Sequence, residues 1–372
     1  MYQNMIGQIL PHIKAKDFKA PLIQPSDSYF PDFLEESLKN YLTFYKKNLV
    51  QHIDRKVPFD SQRTNVVVSK IEKFNDSINK TIELFYEGKI LEATTTFNES
   101  LDEILFDDVQ LISEIPAKND FYRSRSNGNR HYSKADLFHI KFELRHIVST
   151  NRYSVPGFPA LYLGDTTYIC WEEFNRHKLR DLWFSRISNT RNLKIILIQR
   201  IDDFLRELKL INPDLQLTFL LRYLITFPLT LSCSIKVKHP NGNFKPEYII
   251  PQMLLQYISK KEEIDGIKFM STKVDYERLH DVEAYNYVFP VKTIHKKGFC
   301  DKLTKVFHLT EPTSLEMEEI LYNPTTHPMV IGGGTPSDKR QIELIDDLKT
   351  YYSTTSFGKI EISLKQRQLN KI

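Results

Sequence analysis

The sequence predicts an α+β protein, with a helical N-terminal region followed by a core in which short strands alternate with helices. Three observations carry this. Val67, Ile71, Phe74, Ile78 and Ile82 recur at steps of three and four residues, the spacing of one helical face. Beyond Pro116-Ala-Lys-Asn-Asp120 the pattern changes to short apolar runs separated by loops. Two of the later runs, Leu193 to Ile198 and Leu231 to Val237, are rich in β-formers and have a helical pattern between them.

Taken in order, Pro31-Asp-Phe-Leu-Glu-Glu-Ser-Leu-Lys-Asn-Tyr-Leu reads as a short amphipathic helix. Thr64 to Phe106 reads as a helical hairpin turning at Glu87-Gly88-Lys89, with no catalytic cluster and an expected role in packing or partner contact. Phe121-Tyr122, Ile147-Val148-Ser149 and Leu161-Tyr162-Leu163 are short apolar runs. Thr166 to Asn175 is a predicted helix with Thr167 as N-cap and Ile169, Cys170 and Phe174 on one face. Ile201 to Leu210 and Tyr248 to Ser259 are further helices, the latter with Pro251 in its first turn, where proline is tolerated. The most apolar segment, Leu215 to Ile235, contains Arg222 and Pro228 and reads as a buried helix–strand pair rather than a membrane span. Gly266-Ile-Lys-Phe-Met-Ser271 reads as a strand, and a helix is predicted near Ser337 to Tyr352. No internal repeat is visible. These signals divide the chain into a helical region (1–118), a core (119–290) and a C-terminal extension (291–372) packed on the core.

Bulk properties narrow the function. The 372 residues are 41% hydrophobic and 26% charged, an ordinary globular composition. A net charge of +4 is too weak to imply a nucleic-acid binder. Cys170, Cys233 and Cys300 are odd in number and far apart, so they fit neither a disulfide framework nor a zinc site. They read as buried small hydrophobes in a reducing compartment. The start of the chain lacks a basic stretch followed by an apolar core, so a cytoplasmic protein is expected. His131, His139 and His146 have no metal-site spacing, and no metal is expected. Gly332-Gly333-Gly334 lacks the Lys-Ser/Thr of a phosphate loop and reads as a linker.

The chemistry-bearing residues cluster in the core. Arg123 lies in a strand-like Phe-Tyr-Arg, with Arg125 two residues on and on the same strand face. Arg152-Tyr153 precedes Pro156-Gly157, a pair suited to a tight turn. Alternation turns Tyr162 away from Leu161 and Leu163. Glu173 lies three residues after Cys170 and is expected to share its side of the helix, with Glu172 pointing elsewhere. Ser271 ends its strand. Arginine forks suit phosphate oxygens, an aromatic ring can stack on a flat base, and a carboxylate can stabilise the cation that grows on a sugar as a glycosidic bond breaks.

The ordered set Tyr122-Arg123, Arg152-Tyr153, Pro156-Gly157, Leu161-Tyr162-Leu163, Glu173 and Asp265-Gly266-Ile267-Lys268-Phe269-Met270-Ser271 resembles the RES-domain family over roughly residues 120 to 290. That resemblance implies an ADP-ribosyltransferase-like core of two packed β-sheets around a nucleotide cleft. It implies NAD as substrate, cleavage of the nicotinamide–ribose bond, and transfer of ADP-ribose to water, phosphate or a protein side chain. Arg123, Arg152, Tyr153 and Tyr162 would then bind NAD, the arginines on its phosphates or ribose and Tyr162 on its nicotinamide. Glu173 would steady the ribose cation, and Ser271 would bond the ligand or the glutamate. The resemblance also implies a toxin or defence effector held in check by a partner such as an antitoxin; the added helical segments leave room for homo-oligomers, and no membrane is expected. This chain departs from the usual compact members by long segments on both sides of the core. The rival readings are a non-enzymatic interaction protein on a degenerate core and an RNA-directed enzyme using the arginines.

Overall fold

The structure, a computed structural model, describes residues 2–13, 18–50, 61–106, 112–126, 130–239, 241–321 and 338–372. In chain order its elements begin with α1 (Tyr2–Ile13), β1 (Leu22–Ile23), α2 (Phe30–Phe44), α3 (Ser61–Tyr86) and α4 (Ile90–Phe106). Then come β2 (Ile112–Ile115), β3 (Asp120–Ser126), β4 (Ala160–Gly164), α5 (Thr167–Glu173), β5 (Leu182–Asn189) and β6 (Leu193–Ile198). Next are α6 (Ile201–Leu208), α7 (Pro213–Cys233), β7 (Ile235–Lys236), α8 (Ile249–Ser259), β8 (Gly266–Met270), β9 (Leu279–His280) and β10 (Tyr285–Pro290). The last are α9 (Asp301–Val306), β11 (Phe307–Leu309), β12 (Thr313–Ser314), α10 (Leu315–Leu321), β13 (Gln341–Ile345), β14 (Leu348–Tyr351) and α11 (Ser356–Gln366). The protein is thus α+β with a helical N-terminal region.

Contacts divide the chain into two units, Met1–Ser113 with Asn151–Tyr153 and Ile196–Tyr257, and Glu114–Thr150 with Ser154–Ile195 and Ile258–Ile372. The chain crosses between them several times, so the units do not follow sequence boundaries at 118 and 290. The apolar segment 196–257 groups with the N-terminal helices, and 291–372 groups with the strands.

The first unit is helical. The expected hairpin is α3 and α4, turning at Gly88, whose φ of +78° suits glycine. Its inner face carries Val67, Ile71, Phe74, Ile78 and Ile82, all buried. The most apolar segment is mainly helix: α7 runs to Cys233, and only Ile235–Lys236 is strand, pairing in parallel with β1. The expected β-run from Leu231 is therefore corrected, because a short apolar run cannot distinguish a buried helix end from a strand. α7 has the length and composition to cross a membrane, but 61% of its most apolar window is buried within the fold. Pro228 inside it cannot donate to the Leu224 carbonyl four residues earlier. The Tyr41 hydroxyl donates to that carbonyl instead. Rings of Phe18, Tyr41 and Phe227 pack around this point.

The second unit is built on an antiparallel sheet in the order β11-β5-β3-β4-β10-β8, with β12 also on β5. β6 joins at its start, where the Asp265 N–H donates to the Lys194 carbonyl at 2.7 Å. One sheet face packs Tyr122, Leu182 and Phe184 against Cys170 of α5 and Ile360 and Leu364 of α11. Phe121, Tyr287, Phe289 and Phe307 form an aromatic cluster on the other. A second, three-stranded sheet has the order β14-β13-β9, and its Ile342 joins Tyr168, Ile169, Tyr352 and Phe357 in a second core cluster. β13 and β14 occupy the region where a helix near Ser337 to Tyr352 is expected. Asp347, at φ +64°, makes the tight turn that converts it into a hairpin. Gly332-Gly333-Gly334 lies outside the described residues.

Gly266 is fixed by crowding. A Cβ there would lie 2.5 Å from Phe289 Cδ1 and 2.6 Å from the Val288 carbonyl, so a side chain would push β8 off β10. Pro156-Gly157 forms the expected turn, with Gly157 at φ +77° and Phe158 N–H on the Val155 carbonyl at 3.0 Å.

Candidate active site

The second unit holds Arg123, Tyr162, Glu173 and Ser271. Arg152 and Tyr153 belong to the first. There the Arg152 guanidinium donates to the carbonyls of Cys233, Ile235 and Glu247, at 3.2, 2.9 and 3.4 Å, and lies over the Tyr248 ring. Tyr153 is fully buried.

The centre of the candidate site is the last residue of α5. The helix starts at Thr166, whose hydroxyl accepts from the Ile169 N–H, so the N-cap lies one residue before the expected Thr167. The Thr167 N–H and hydroxyl donate to the Glu361 carboxylate of α11 at 2.8 and 3.2 Å. Tyr168 and Ile169 enter one core cluster and Cys170 another. Anchored on both sides, α5 ends at Glu173, and Asn175 and Arg176 turn the chain away at φ +53° and +56°.

Glu173 Oε1 accepts two hydrogen bonds, from Ser271 Oγ at 2.8 Å and from Asn286 Nδ2 at 2.7 Å. Both donors are buried. Strand register brings them together: Asn286 of β10 pairs with Phe269 of β8, and Ser271, two residues beyond Phe269, projects from the same face. Glu173 Oε2 is 3.7 Å from the ammonium of Lys273, which also donates to the Glu173 carbonyl at 2.5 Å. Two short bonds therefore fix one carboxylate oxygen, and the other meets a half-exposed cation.

The adjacent acid is disposed differently. Glu172 is 3% exposed. It accepts a bidentate pair of bonds from Arg176 at 3.0 Å each. Glu172, not Glu173, is the more buried of the two, contrary to the expectation drawn from the spacing to Cys170. Adjacent helical positions are about 100° apart, which directs Glu172 to its arginine and Glu173 to Ser271.

Arg123 Nη1 donates to the Tyr162 carbonyl at 2.8 Å, bridging β3 and β4, which otherwise register at Tyr122–Gly164. Its Nε and that of Arg125 are buried and have no hydrogen-bond partner among the described residues. Burial, reinforced by the neighbouring Arg125, pushes Arg123 down to about 9. No carboxylate pairs with this guanidinium among the described residues. Cys170 connects the two ends of the site. Burial pushes its thiol up to about 12, and among the smaller effects Arg123 opposes the rise while Glu173 adds to it. Tyr162 is half-buried on β4 between the buried Leu161 and Leu163, as alternation requires.

The sequence reading missed Asn286 and Lys273. Asn286 had a signal: it is the one amide in the otherwise apolar run Tyr285-Asn-Tyr-Val-Phe-Pro290, and a buried polar group needs a partner. Lys273 follows Ser271 too closely to stand out from surface lysines. Among the described residues no group of His, Cys, Asp or Glu is placed to hold a metal ion. His139 accepts from the Cys300 N–H at 2.9 Å, and burial pushes it down to about 4, so it is a neutral core acceptor.

The chain is similar to a protein of Bacillus subtilis (strain 168) named "Putative toxin YopC", at 33% identity over 302 residues. The alignment covers 77% of this chain and 66% of that protein, just under two thirds of its length. No family profile matches the chain, and no solved structure matches it.

Proposed function

We propose that the protein is an NAD-consuming enzyme that cleaves the nicotinamide–ribose bond, and that it acts as a toxin. The observation that carries the reading is the Glu173 carboxylate, held at Oε1 by Ser271 and Asn286. A preorganised carboxylate stabilises charge that develops only in the transition state. In this reading Arg123 and Arg125 take the diphosphate, whose negative charge answers their desolvated and mutually repelling guanidinium groups. Tyr162 stacks on the nicotinamide. As the glycosidic bond breaks, its electron pair leaves with the nicotinamide nitrogen, which becomes neutral. The positive charge moves to the ribose, beside Glu173. The acceptor oxygen then bonds the anomeric carbon and releases its proton. Water, phosphate and a protein side chain all fit that step. Arg152 and Tyr153, expected to bind NAD, belong to the other unit, where Arg152 donates to main-chain carbonyls, and this reading assigns them no step.

The toxin role, and with it a protein antitoxin as partner, draws on the name of the Bacillus subtilis relative. The test is mass spectrometry of products after purified protein meets NAD, with and without phosphate. Free nicotinamide with ADP-ribose or its phosphorylated form supports the reading. Intact NAD with folded protein overturns it.

A further inference from the structure

At the Pro290 end of β10, away from Asn286, the second unit contains a cavity of about 340 Å³. Four residues separate Pro290 from Asn286, roughly 13 Å along a strand, so this is a different place from the Glu173 carboxylate. The volume lies near the lower end of ligand pockets, about 300–1,000 Å³. Phe289, Phe307, Leu193 and Leu303, all buried, supply an apolar lining. The charged lining is uneven: Arg191, Lys292, Lys302 and Lys305 face only Glu262 and Asp265, a surplus of two positive charges.

The pairing shows which cations are already engaged. Arg191 grips Asp265 with two bonds, at 2.6 and 3.0 Å, and Lys302 pairs with Glu262. Lys292 donates to the Lys261 and Ile264 carbonyls, and neither it nor Lys305 has an ion pair among the described residues. Burial also lowers the Lys292 pKa, so its charge is poorly solvated. A dianion would balance the surplus, and the apolar lining suits a flat ring.

We propose that this cavity binds an organic phosphate monoester that carries a flat ring. Such a group holds about −1.5 to −2 charges at neutral pH, matching the lining's surplus of two positive charges. This site goes beyond the NAD chemistry and does not rest on it.

The probe is 1-naphthyl phosphate, titrated calorimetrically into the full chain, with inorganic phosphate and 1-naphthol as its two halves. One equivalent is expected to bind, more tightly than either half, and to weaken as salt is raised. Lys305 is exposed, so Lys305→Glu is expected to keep the wild-type melting temperature while weakening binding about tenfold or more. Arg123→Ala is expected to leave this affinity unchanged. Three results each overturn the proposal: no heat with folded protein, full affinity in Lys305→Glu, or equal loss in Arg123→Ala, which would place the probe at the Arg123 site.

Discussion

Ser271 lies 2.8 Å from Glu173 although 98 residues separate them in the chain. The bond joins the end of a strand to the end of a helix, and Asn286 completes it on the same oxygen at 2.7 Å. Removing either donor leaves the carboxylate in place but freer to rotate. Ser271→Ala and Asn286→Ala are therefore each expected to lower kcat for NAD cleavage about tenfold while changing KM little, since orientation matters most in the transition state. The double variant is expected to lose less than the product of the single losses, because both donors act on one oxygen. Steady-state kinetics on the four proteins checks this. A pure KM effect would instead make both residues substrate contacts.

The two adjacent glutamates are expected to separate catalysis from stability. Glu173→Gln is expected to cut turnover by about a hundred- to thousandfold with NAD binding nearly intact. Glu172→Gln weakens a pair whose arginine is 51% exposed, so only a modest loss of stability is expected, read as a fall of a few degrees in Tm with near wild-type turnover. A dead Glu172→Gln beside an active Glu173→Gln would assign the chemistry to the wrong helix face.

Much of this site is legible in the sequence because its parts are local. Tyr162 follows from alternation and the α3–α4 hairpin from three- and four-residue spacing. For the two glutamates the spacing to Cys170 points to Glu173 as the inward one, yet Glu172 is the buried one and meets the exposed Arg176 at its outer end. Asn286 and Glu361 lie 113 and 188 residues from Glu173, and only strand register and helix docking bring the first to its carboxylate and the second to the start of its helix. The hairpin at 341–351 carries no turn signal in the sequence, because its turn is Asp346-Asp347, without a glycine to mark it.

Arg123 is expected to matter through its guanidinium. Arg123→Ala removes a buried charge and its bond to the Tyr162 carbonyl. NAD affinity should fall about ten- to a hundredfold, the value of a charge-assisted contact. Arg123→Lys should recover only part, because an ammonium has no planar fork. Calorimetry with NAD on the Glu173→Gln background, where turnover does not consume the ligand, measures both. Unchanged affinity in Arg123→Ala would remove this arginine from the diphosphate.

Asp165 gives the unit a pH dependence of definite sign. It accepts from the Tyr287 hydroxyl at 2.5 Å and the Tyr285 N–H at 3.0 Å. Burial, aided by Glu283 and opposed by Lys268 and these two bonds, raises its carboxyl from 3.8 to about 6. A raised acid favours the folded state in its protonated form. Its contribution is complete below about pH 4 and is lost as pH rises towards 6. Asp165→Asn, which cannot ionise, is thus expected to gain in Tm relative to wild type between pH 4.5 and 7.5. Melting curves at the two values check this, and a difference that does not change with pH refutes it.

The C-terminal extension is expected to be required for the chemistry without touching substrate. Glu361, 3% exposed, accepts from the Thr167 N–H, the Thr167 hydroxyl and the Tyr352 hydroxyl. It thereby holds the start of α5, the helix that ends in Glu173. Glu361→Ala strands these buried donors, and each unsatisfied group costs about 1–3 kcal/mol. For a unit of this size each stranded group lowers Tm by roughly 2–12 °C. Glu361→Gln keeps an acceptor oxygen and should lose much less. The distinguishing measurement is NAD turnover well below the melting point of Glu361→Ala. If α5 is positioned by this carboxylate, kcat falls in Glu361→Ala and recovers largely in Glu361→Gln. If Glu361 serves stability alone, the folded fraction of both variants turns over at the wild-type rate.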